Sequence, residues 1–208
     1  MARDNKLTKS IGEHFTCAAL AQEGWAASLT RDGLARTDAL AVHTESRRMI
    51  EVQVKTSTTF ARPSWLLGEV RPAESNREWY VLVALGASVR DRPRCFVVPR
   101  DHVAAGVWVR HMAWLTDPGV PAGKRNTPLT RSRAGAEVWT GYEERWEALN
   151  EENAQDEVRL PEWMRDAARE DRIGLPANHP WTRSLELLDW LGAELGRRTR
   201  NGSATTAD

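Results

Sequence analysis

The sequence predicts an α/β (α+β) fold, in which helices flank a β-sheet. Three stretches of the sequence support this prediction. Residues 7–24 place apolar side chains at helical spacing. Residues 49–56 alternate between apolar and polar side chains, which is typical of a strand with one buried face. Residues 79–85 are almost continuously apolar, which indicates a strand buried on both faces inside a mixed sheet that helices cover.

The first part of the chain is predicted to contain one helix and three strands. The helix of residues 7–24 is followed by a short strand at residues 25–30. Residues 37–43 and 49–56 then read as two strands, and the charged turn of residues 44–48 joins them into a hairpin.

The middle of the chain is predicted to continue the sheet. A loop is predicted at residues 58–76, and a strand begins within it at 65–68. Two strands follow at 79–85 and 95–99, with a basic turn at 90–94 between them. A helix or turn at 100–105 and a further strand at 107–109 complete this part. Pro99 closes its strand, because proline cannot donate a hydrogen bond to a neighbouring strand.

The last part of the chain is predicted to be a long loop followed by helices. Residues 116–136 are rich in Pro, Gly, Thr and Arg, and a loop longer than about 15 residues in a compact domain is usually functional or mobile. Residues 137–150 follow as a helix whose apolar stripe we interpret as core packing rather than base stacking. The stripe consists of Trp139, Tyr142, Trp146 and Leu149.

We divide the chain into a main domain of residues 1–150, a helical C-terminal appendage of residues 151–200 and a disordered tail of residues 201–208. In the appendage, a helix is predicted from Pro161 to Ala168 with Trp163 facing inward, and an amphipathic helix from Trp181 to Leu195.

Charge is distributed unevenly, although 29 basic side chains balance 29 acidic ones over the whole chain. Residues 1–133 carry 20 basic and 13 acidic side chains, a net charge of +7. Residues 134–171 carry 4 basic and 12 acidic side chains, a net charge of −8. The region that holds the candidate site is therefore basic, which the neutral total conceals.

The cysteines and the hydropathy indicate the compartment. Cys17 and Cys95 lie in apolar contexts without metal-type spacing, so we expect buried, reduced thiols. The sequence shows neither an apolar run of transmembrane length nor an apolar signal segment behind the N-terminus. We therefore expect a cytoplasmic protein with no membrane partner.

The strand of residues 49–56 carries an unusual polar face. Glu51, Gln53 and Lys55 stand in a row on it, and Asp38 is available from the neighbouring strand. A carboxylate, a carboxamide and an ammonium group together can hold a hard divalent cation and a phosphate. The alternative is a solvent-exposed hairpin face on which charges alternate, as is common at sheet edges.

These residues resemble the motif of the PD-(D/E)XK nuclease superfamily. Asp38 is followed after fourteen residues by Gln53-Val54-Lys55-Thr56-Ser57, which is most similar to the branch whose catalytic strand reads QVKTS. The chain departs from the signature at Thr37, where a proline is often found, and at Gln53, which replaces the acid. The resemblance covers roughly residues 7–150 and implies a restriction-endonuclease-like sheet flanked by helices.

The resemblance also implies the chemistry of the site. Asp38 would be the main ligand of Mg²⁺ or Mn²⁺, and Glu13, in the string Ile-Gly-Glu-His-Phe of the first helix, a second one. Gln53 would offer its amide oxygen, and Glu51 on the same face could compensate for the weaker amide ligand. Lys55 would orient the attacking water and offset charge on the phosphate. Glu13 as a solvated glutamate on a helix flank is the alternative.

The function implied is a metal-dependent endonuclease, a hydrolase of DNA phosphodiester bonds, in defence, restriction, recombination or mobile-element biology. Lys124, Arg125, Arg131 and Arg133 in the loop of residues 116–136 would bind the nucleic acid, or belong to a plain solvated loop. DNA is the expected partner, with RNA and a homodimer as further options. The rival functions are a catalytically inactive nucleic-acid binding protein on the same fold and an adaptor that uses the Trp-rich C-terminal helices.

Overall fold

The computed structural model describes residues 5–30, 36–59, 61–121 and 123–174. It contains seven strands, β1 (Trp25–Leu29), β2 (Ala39–His43), β3 (Met49–Ser57), β4 (Ser64–Leu66), β5 (Glu78–Ala84), β6 (Arg94–Pro99) and β7 (Arg133–Gly135), and three α-helices, α1 (Asn5–Gln22), α2 (Arg100–Leu115) and α3 (Glu162–Ala168). Five of the strands form one sheet in the order β1-β2-β3-β5-β6, and β4 pairs with β7 in a second, small sheet. The mixed α+β fold predicted from the sequence is confirmed.

The main sheet is antiparallel except at one place. β3 and β5 run parallel, with Gln53 opposite Tyr80 and Lys55 opposite Leu82, while every other neighbouring pair is antiparallel. All seven residues of β5 are buried, because β5 lies inside the sheet with helices on both faces. The near-continuous apolar character of this stretch therefore reflects burial on both faces, as predicted.

Each face of the sheet carries its own apolar core. On one face, α1 packs its buried side chains Ala19 and Leu20 with Val52 and Val54 of β3. On the other face, α2 packs against Leu82 and other side chains of β5 and β6. Because the side chains of β3 alternate, Gln53 and Lys55 point to the side of the sheet opposite Val52 and Val54.

The structure corrects the prediction of a strand at residues 107–109. This segment belongs to α2, which runs without interruption from Arg100 to Leu115. Val103, Val107 and the neighbouring Gly106 are buried against the second core. Tertiary packing of one helix face thus outweighs the strand preference of the two valines and the tryptophan of this segment.

The structure also corrects the helix predicted at residues 137–150. This segment forms separate 3-10 turns at Ala136–Val138, Thr140–Tyr142 and Trp146–Asn150. Glu144 adopts a left-handed φ of 53°, which no α-helix accommodates. All four members of the predicted stripe, Trp139, Tyr142, Trp146 and Leu149, are nevertheless buried. Their interpretation as core packing is therefore confirmed, although the helix is not.

The C-terminal part is described as far as Gly174. Helix α3 starts after Pro161, close to the predicted start, but Trp163 is 48% exposed and Met164 is the buried residue. The prediction that Trp163 faces inward is therefore wrong. The helix predicted from Trp181 to Leu195 and the tail lie outside the described residues, and the division of the chain at residue 150 stays a prediction.

Both cysteines are free thiols in the structure, Cys95 buried and Cys17 partly buried. Burial raises the pKa of each thiol, which keeps both protonated at neutral pH. In the part of the chain that the structure describes, no helix has the length and apolar character needed to span a membrane.

Helix α1 approaches β3 closely at Gly12. A methyl group on this residue would overlap the Oγ1 atom of Thr56 and lie 3.0 Å from its Cβ atom. This contact seats the first half of α1 on the sheet, next to the candidate site.

We expect Gly12→Ala to destabilise the protein, because the added methyl forces α1 away from β3. Overpacking of this kind typically costs about 1–3 kcal/mol, more than the roughly 1 kcal/mol that alanine gains over glycine in a helix. Thermal unfolding measures the effect, and the double variant Gly12→Ala/Thr56→Ala should recover part of the loss. A single variant at least as stable as the wild type would contradict the close packing.

Candidate functional site

The hairpin of β2 and β3 fixes Asp38 directly before β2. The Asp38 backbone N–H donates to the Val52 carbonyl at 2.9 Å, and the Asp38 carboxylate accepts a hydrogen bond from the Val54 N–H at 2.8 Å. The side-chain amide of Gln53 donates to the same carboxylate oxygen. The two strands predicted to meet at a turn are therefore antiparallel neighbours, and their pairing holds Asp38 beside the polar face of β3.

Helix α1 brings a second carboxylate to Asp38. The ammonium group of Lys9 lies 3.2 Å from Asp38 Oδ1 and 3.2 Å from Glu13 Oε1. These two oxygens are therefore separated by no more than twice that distance. The side chains of Asp38 and Glu13 are 10% and 15% exposed, so both carboxylates are largely shielded from water.

Lys9 is a site residue that the sequence analysis missed. Its spacing of four residues from Glu13 is the signal that could have identified it, because side chains four apart meet on one helix face. Its contact with Asp38 joins elements far apart in the sequence and follows from the packing of α1 on the sheet.

The three charges influence one another. Burial raises the pKa of Glu13 and the nearby Asp38 adds to this rise, while Lys9 opposes it. Burial alone would lower the pKa of Lys9, but the charges and hydrogen bonds of Asp38 and Glu13 outweigh this and raise it. The cluster therefore favours a cation between two carboxylates.

An open cleft of about 590 Å³ lies at this cluster. Its walls come from α1, β3 with the residues after it, and the small sheet of β4 and β7. The lining residues are Thr8, Lys9, Asp38, Gln53, Val54, Lys55, Thr56, Ser57, Thr58, Thr59, Ser64, Trp65, Leu66 and Arg133. The cleft thus combines an anionic end with several hydroxyl groups and cations.

Two cations that line the cleft, Lys55 and Arg133, have no acidic partner among the described residues. Lys55 makes no hydrogen bond or ion pair with any described residue, although it is partly buried. Arg133 is anchored through hydrogen bonds to the carbonyl and hydroxyl oxygens of Ser64, at 3.2 and 3.1 Å, and carries no acidic partner among the described residues. A phosphate group is an anion of suitable size and chemistry for such a pair.

The remaining predicted metal ligands, Gln53 and Glu51, are placed differently. Gln53 turns its amide nitrogen, not its oxygen, toward Asp38. Glu51 accepts a hydrogen bond from the Thr37 hydroxyl at 3.4 Å and does not line the cleft. Among the described residues, no group of three or more His, Cys, Asp or Glu side chains could hold a metal ion. The predicted ligand set stays a prediction.

The four predicted nucleic-acid contacts separate in the structure. Arg133 lines the cleft, and the exposed Arg131 lines a neighbouring depression. Arg125 instead pairs with Asp117 at 3.2 Å and lies over the ring of Trp114, and neither it nor Lys124 lines the cleft.

A buried ionic network supports the turn before Asp38. Arg36, with a left-handed φ of 74°, lies 3.1 Å from the Glu78 carboxylate, and Arg100 lies 2.6 Å from the same oxygen. Arg100 also donates to the Arg36 carbonyl at 2.8 Å. The network connects the start of β5 and the start of α2 to the turn. These elements therefore help to hold the turn, and Asp38 after it, in position. No sequence pattern identifies this network.

Comparisons with known proteins give a distant structural likeness. No protein-family model matches the chain, and no curated protein matches it. Among solved structures, the chain is similar to a bacterial homing endonuclease, I-Ssp6803I, with a TM-score of 0.43 and 16% sequence identity, over 70% of this chain and 93% of that one.

Proposed function

We propose that the chain is a metal-dependent endonuclease of PD-(D/E)XK type, which hydrolyses DNA phosphodiester bonds in the cleft. One observation carries the proposal. Two shielded carboxylates share a cation at one end of an open cleft, and a lysine without an ion-pair partner among the described residues lies in the same cleft. Metal-dependent phosphodiester hydrolysis uses a cation held by oxygen ligands and positive charge beside the phosphate.

The oxygen donors suit Mg²⁺ or Mn²⁺. The Lys9 ammonium between Asp38 and Glu13 is a monovalent stand-in for such an ion. Mg²⁺ is usually bound by one or two carboxylates together with waters and substrate phosphates, so two carboxylates are enough. Asp38 and Glu13 would hold the ion, and Gln53 would join them if its amide turned to present the oxygen. The bound ion would stabilise the negative charge that grows on the phosphate.

The protein side chains have separate roles in this proposal. Lys55 orients the attacking water and offsets charge on the scissile phosphate, because its ammonium has no competing partner among the described residues. Arg133 binds a neighbouring phosphate from the other wall of the cleft. The Val54 N–H and the Gln53 amide hold the Asp38 carboxylate in place.

A plasmid-nicking assay tests the proposal. Purified full-length protein is incubated with supercoiled plasmid in Mn²⁺, in Mg²⁺ and in EDTA, and conversion to open-circular DNA is measured. We expect conversion with either metal and none with EDTA. Failure to nick plasmid with both metals, over a range of protein concentrations and salt, would overturn the endonuclease proposal.

Lys9 gives a second test, because its ammonium occupies the oxygens that the ion would use. We expect Lys9→Met to raise the Mn²⁺ affinity of the DNA-free protein and to lower the stability of the metal-free protein. An ion pair of a largely exposed lysine is worth about 0.2–1 kcal/mol. We therefore expect the free energy of unfolding to fall by at most about 1 kcal/mol and the Mn²⁺ affinity to rise by at most about fivefold. Calorimetric titration with Mn²⁺ measures the first effect and thermal unfolding the second.

The matched control is Glu13→Gln, which removes a proposed ligand and should lower Mn²⁺ affinity. If Lys9→Met leaves the affinity unchanged while Glu13→Gln lowers it, Lys9 does not compete for the ion.

A nucleic-acid binding protein without catalysis is the second candidate function. The favouring observation is again Lys9, whose ammonium lies 3.2 Å from an oxygen of each carboxylate and so gives both of them a cationic partner from the protein itself. Such a protein would bind DNA through Lys55 and Arg133, would not nick it, and would show no Mn²⁺ binding that depends on Asp38.

A further inference from the structure

A second depression, of about 290 Å³, adjoins the cleft. It lies between the C-terminal half of α2 and the segment that leads into β7. Its charged walls are Arg110, Arg131 and Arg133, and Arg133 lines the cleft as well. The two cavities therefore share one wall, and a surface of three guanidinium groups continues outward from the candidate active site.

The charge of this depression is positive at neutral pH. None of the described residues that line it is acidic, and its histidine, His111, is expected to be neutral because burial lowers its pKa. Arg131 is exposed, and its side chain makes no hydrogen bond or ion pair with any described residue. Among the described residues, Arg110 pairs with Glu137 at 3.7 Å, and the Glu137 side chain is largely exposed, which leaves much of the Arg110 charge available.

The side chains favour phosphate groups over bases as the ligand. Trp114 is the exposed aromatic residue of the depression, but the Arg125 guanidinium lies over its ring at 5.1 Å and His111 lies tilted against it at 5.8 Å. The ring is therefore poorly placed to stack on a base. Arginine forks, in contrast, match phosphate oxygens in geometry and charge.

We infer that Arg110 and Arg131 extend the DNA-binding surface beyond the cleft and contact the phosphate backbone of the duplex that flanks the scissile bond. This inference rests on the proposed function, which places DNA in the cleft. The proposed surface is not the whole loop of residues 116–136. It includes Arg110 of α2 and leaves out Arg125 of the loop, which is paired with Asp117.

The salt dependence of DNA binding tests the inference. Fluorescence anisotropy with a labelled duplex of about 30 base pairs, in EDTA to prevent cleavage, gives the affinity of the full-length protein at several salt concentrations. Each lost phosphate contact should reduce the slope of log affinity against log salt by about 0.9. We expect this reduction for Arg131→Gln and about twice as much for Arg110→Gln/Arg131→Gln.

The Arg110 side chain donates to the Arg133 carbonyl at 2.6 Å, so replacing Arg110 could disturb the fold as well as DNA binding. The side chain of Arg131 has no partner in the described chain, and the single variant Arg131→Gln therefore tests DNA binding without this complication. The matched control is Arg90→Gln, an exposed arginine that lines a separate, mostly apolar depression beside Ile11 and Phe15. Its slope should equal that of the wild type.

The outcomes separate this inference from the proposed function. A wild-type slope for Arg131→Gln, in a protein that nicks plasmid, overturns the extended surface and leaves the endonuclease standing. A reduced slope in a protein that never nicks supports the surface and overturns the endonuclease. Equal losses for Arg90→Gln and Arg131→Gln, or wild-type binding that ignores salt, also overturn the inference.

Discussion

Asp38→Asn is expected to abolish metal-dependent nicking while leaving the protein folded. The asparagine keeps one oxygen that can accept the hydrogen bond from the Val54 N–H, now 2.8 Å from the carboxylate. It removes the negative charge that Lys9 neutralises in the structure and that a divalent cation would need. Glu13 alone would then face the ion. We expect nicking in Mn²⁺ to fall to the level measured in EDTA, and calorimetry to show weaker Mn²⁺ binding.

The matched control for this variant is Asp91→Asn. Asp91 is exposed, and its carboxylate accepts a hydrogen bond from the Ser88 N–H at 2.8 Å within its own loop. The same chemical change there should leave nicking at the wild-type rate. Undiminished nicking by Asp38→Asn, with circular dichroism showing a folded protein, would remove Asp38 from the active site.

The second large effect is expected for Lys55→Ala, which should slow nicking by about 10²–10⁴-fold, the range typical of one positioned catalytic group. Lys55 lines the cleft from β3 and has no acidic partner among the described residues, so its removal leaves no buried charge unpaired. DNA affinity should change little, because one cation of the basic surface is lost while Arg133 remains. Single-turnover nicking at saturating protein separates the rate from the affinity.

Arg90→Ala serves as the control, since Arg90 is exposed and lines a separate depression outside the cleft. It should leave the single-turnover rate unchanged. If Lys55→Ala reduces DNA affinity by as much as it reduces nicking, Lys55 binds substrate without a catalytic role. If nicking is unchanged, Lys55 is a bystander.

A protein that only binds DNA would give a different set of results. Its DNA affinity would respond to the arginine variants, but neither Asp38→Asn nor Lys55→Ala would have an activity to lower. Calorimetry would then show no Mn²⁺ binding at Asp38. The two candidate functions thus differ in the metal titration as well as in the nicking assay.

The hairpin and its polar face could be predicted from the sequence because their signals are local. Alternation along residues 49–56 determines which side chains of β3 face the core, and the turn is short enough to make the two strands neighbours. The continuous apolar character of β5 likewise reports burial on both faces. These patterns predict that Asp38 lies beside β3, whereas the register that brings its carboxylate to Gln53 is a result of the tertiary structure.

Local patterns misled where packing between distant segments outweighs them. Residues 107–109 have strand-forming side chains, yet they belong to α2 because one face of that helix is buried on the sheet. The apolar stripe at residues 139–149 has helical spacing, but Glu144 breaks the segment, and its backbone N–H bonds to the Cys95 carbonyl at 2.8 Å. The apolar stripe therefore predicts correctly which side chains are buried, but it predicts the wrong backbone conformation.

The sequence by itself determined the sheet, the first helix and the row of polar side chains, since helical and strand periodicity depend only on neighbours along the chain. Only the tertiary structure decided which side chains from other elements, Lys9 and Arg133, lie in the cleft beside that row. Lys9 reaches Asp38 because α1 packs closely on β3 at Gly12, and Arg133 reaches the cleft because β7 pairs with β4. Both contacts join residues that are far apart along the chain. No periodicity encodes them, because they arise from the way the packed elements bring separate segments together.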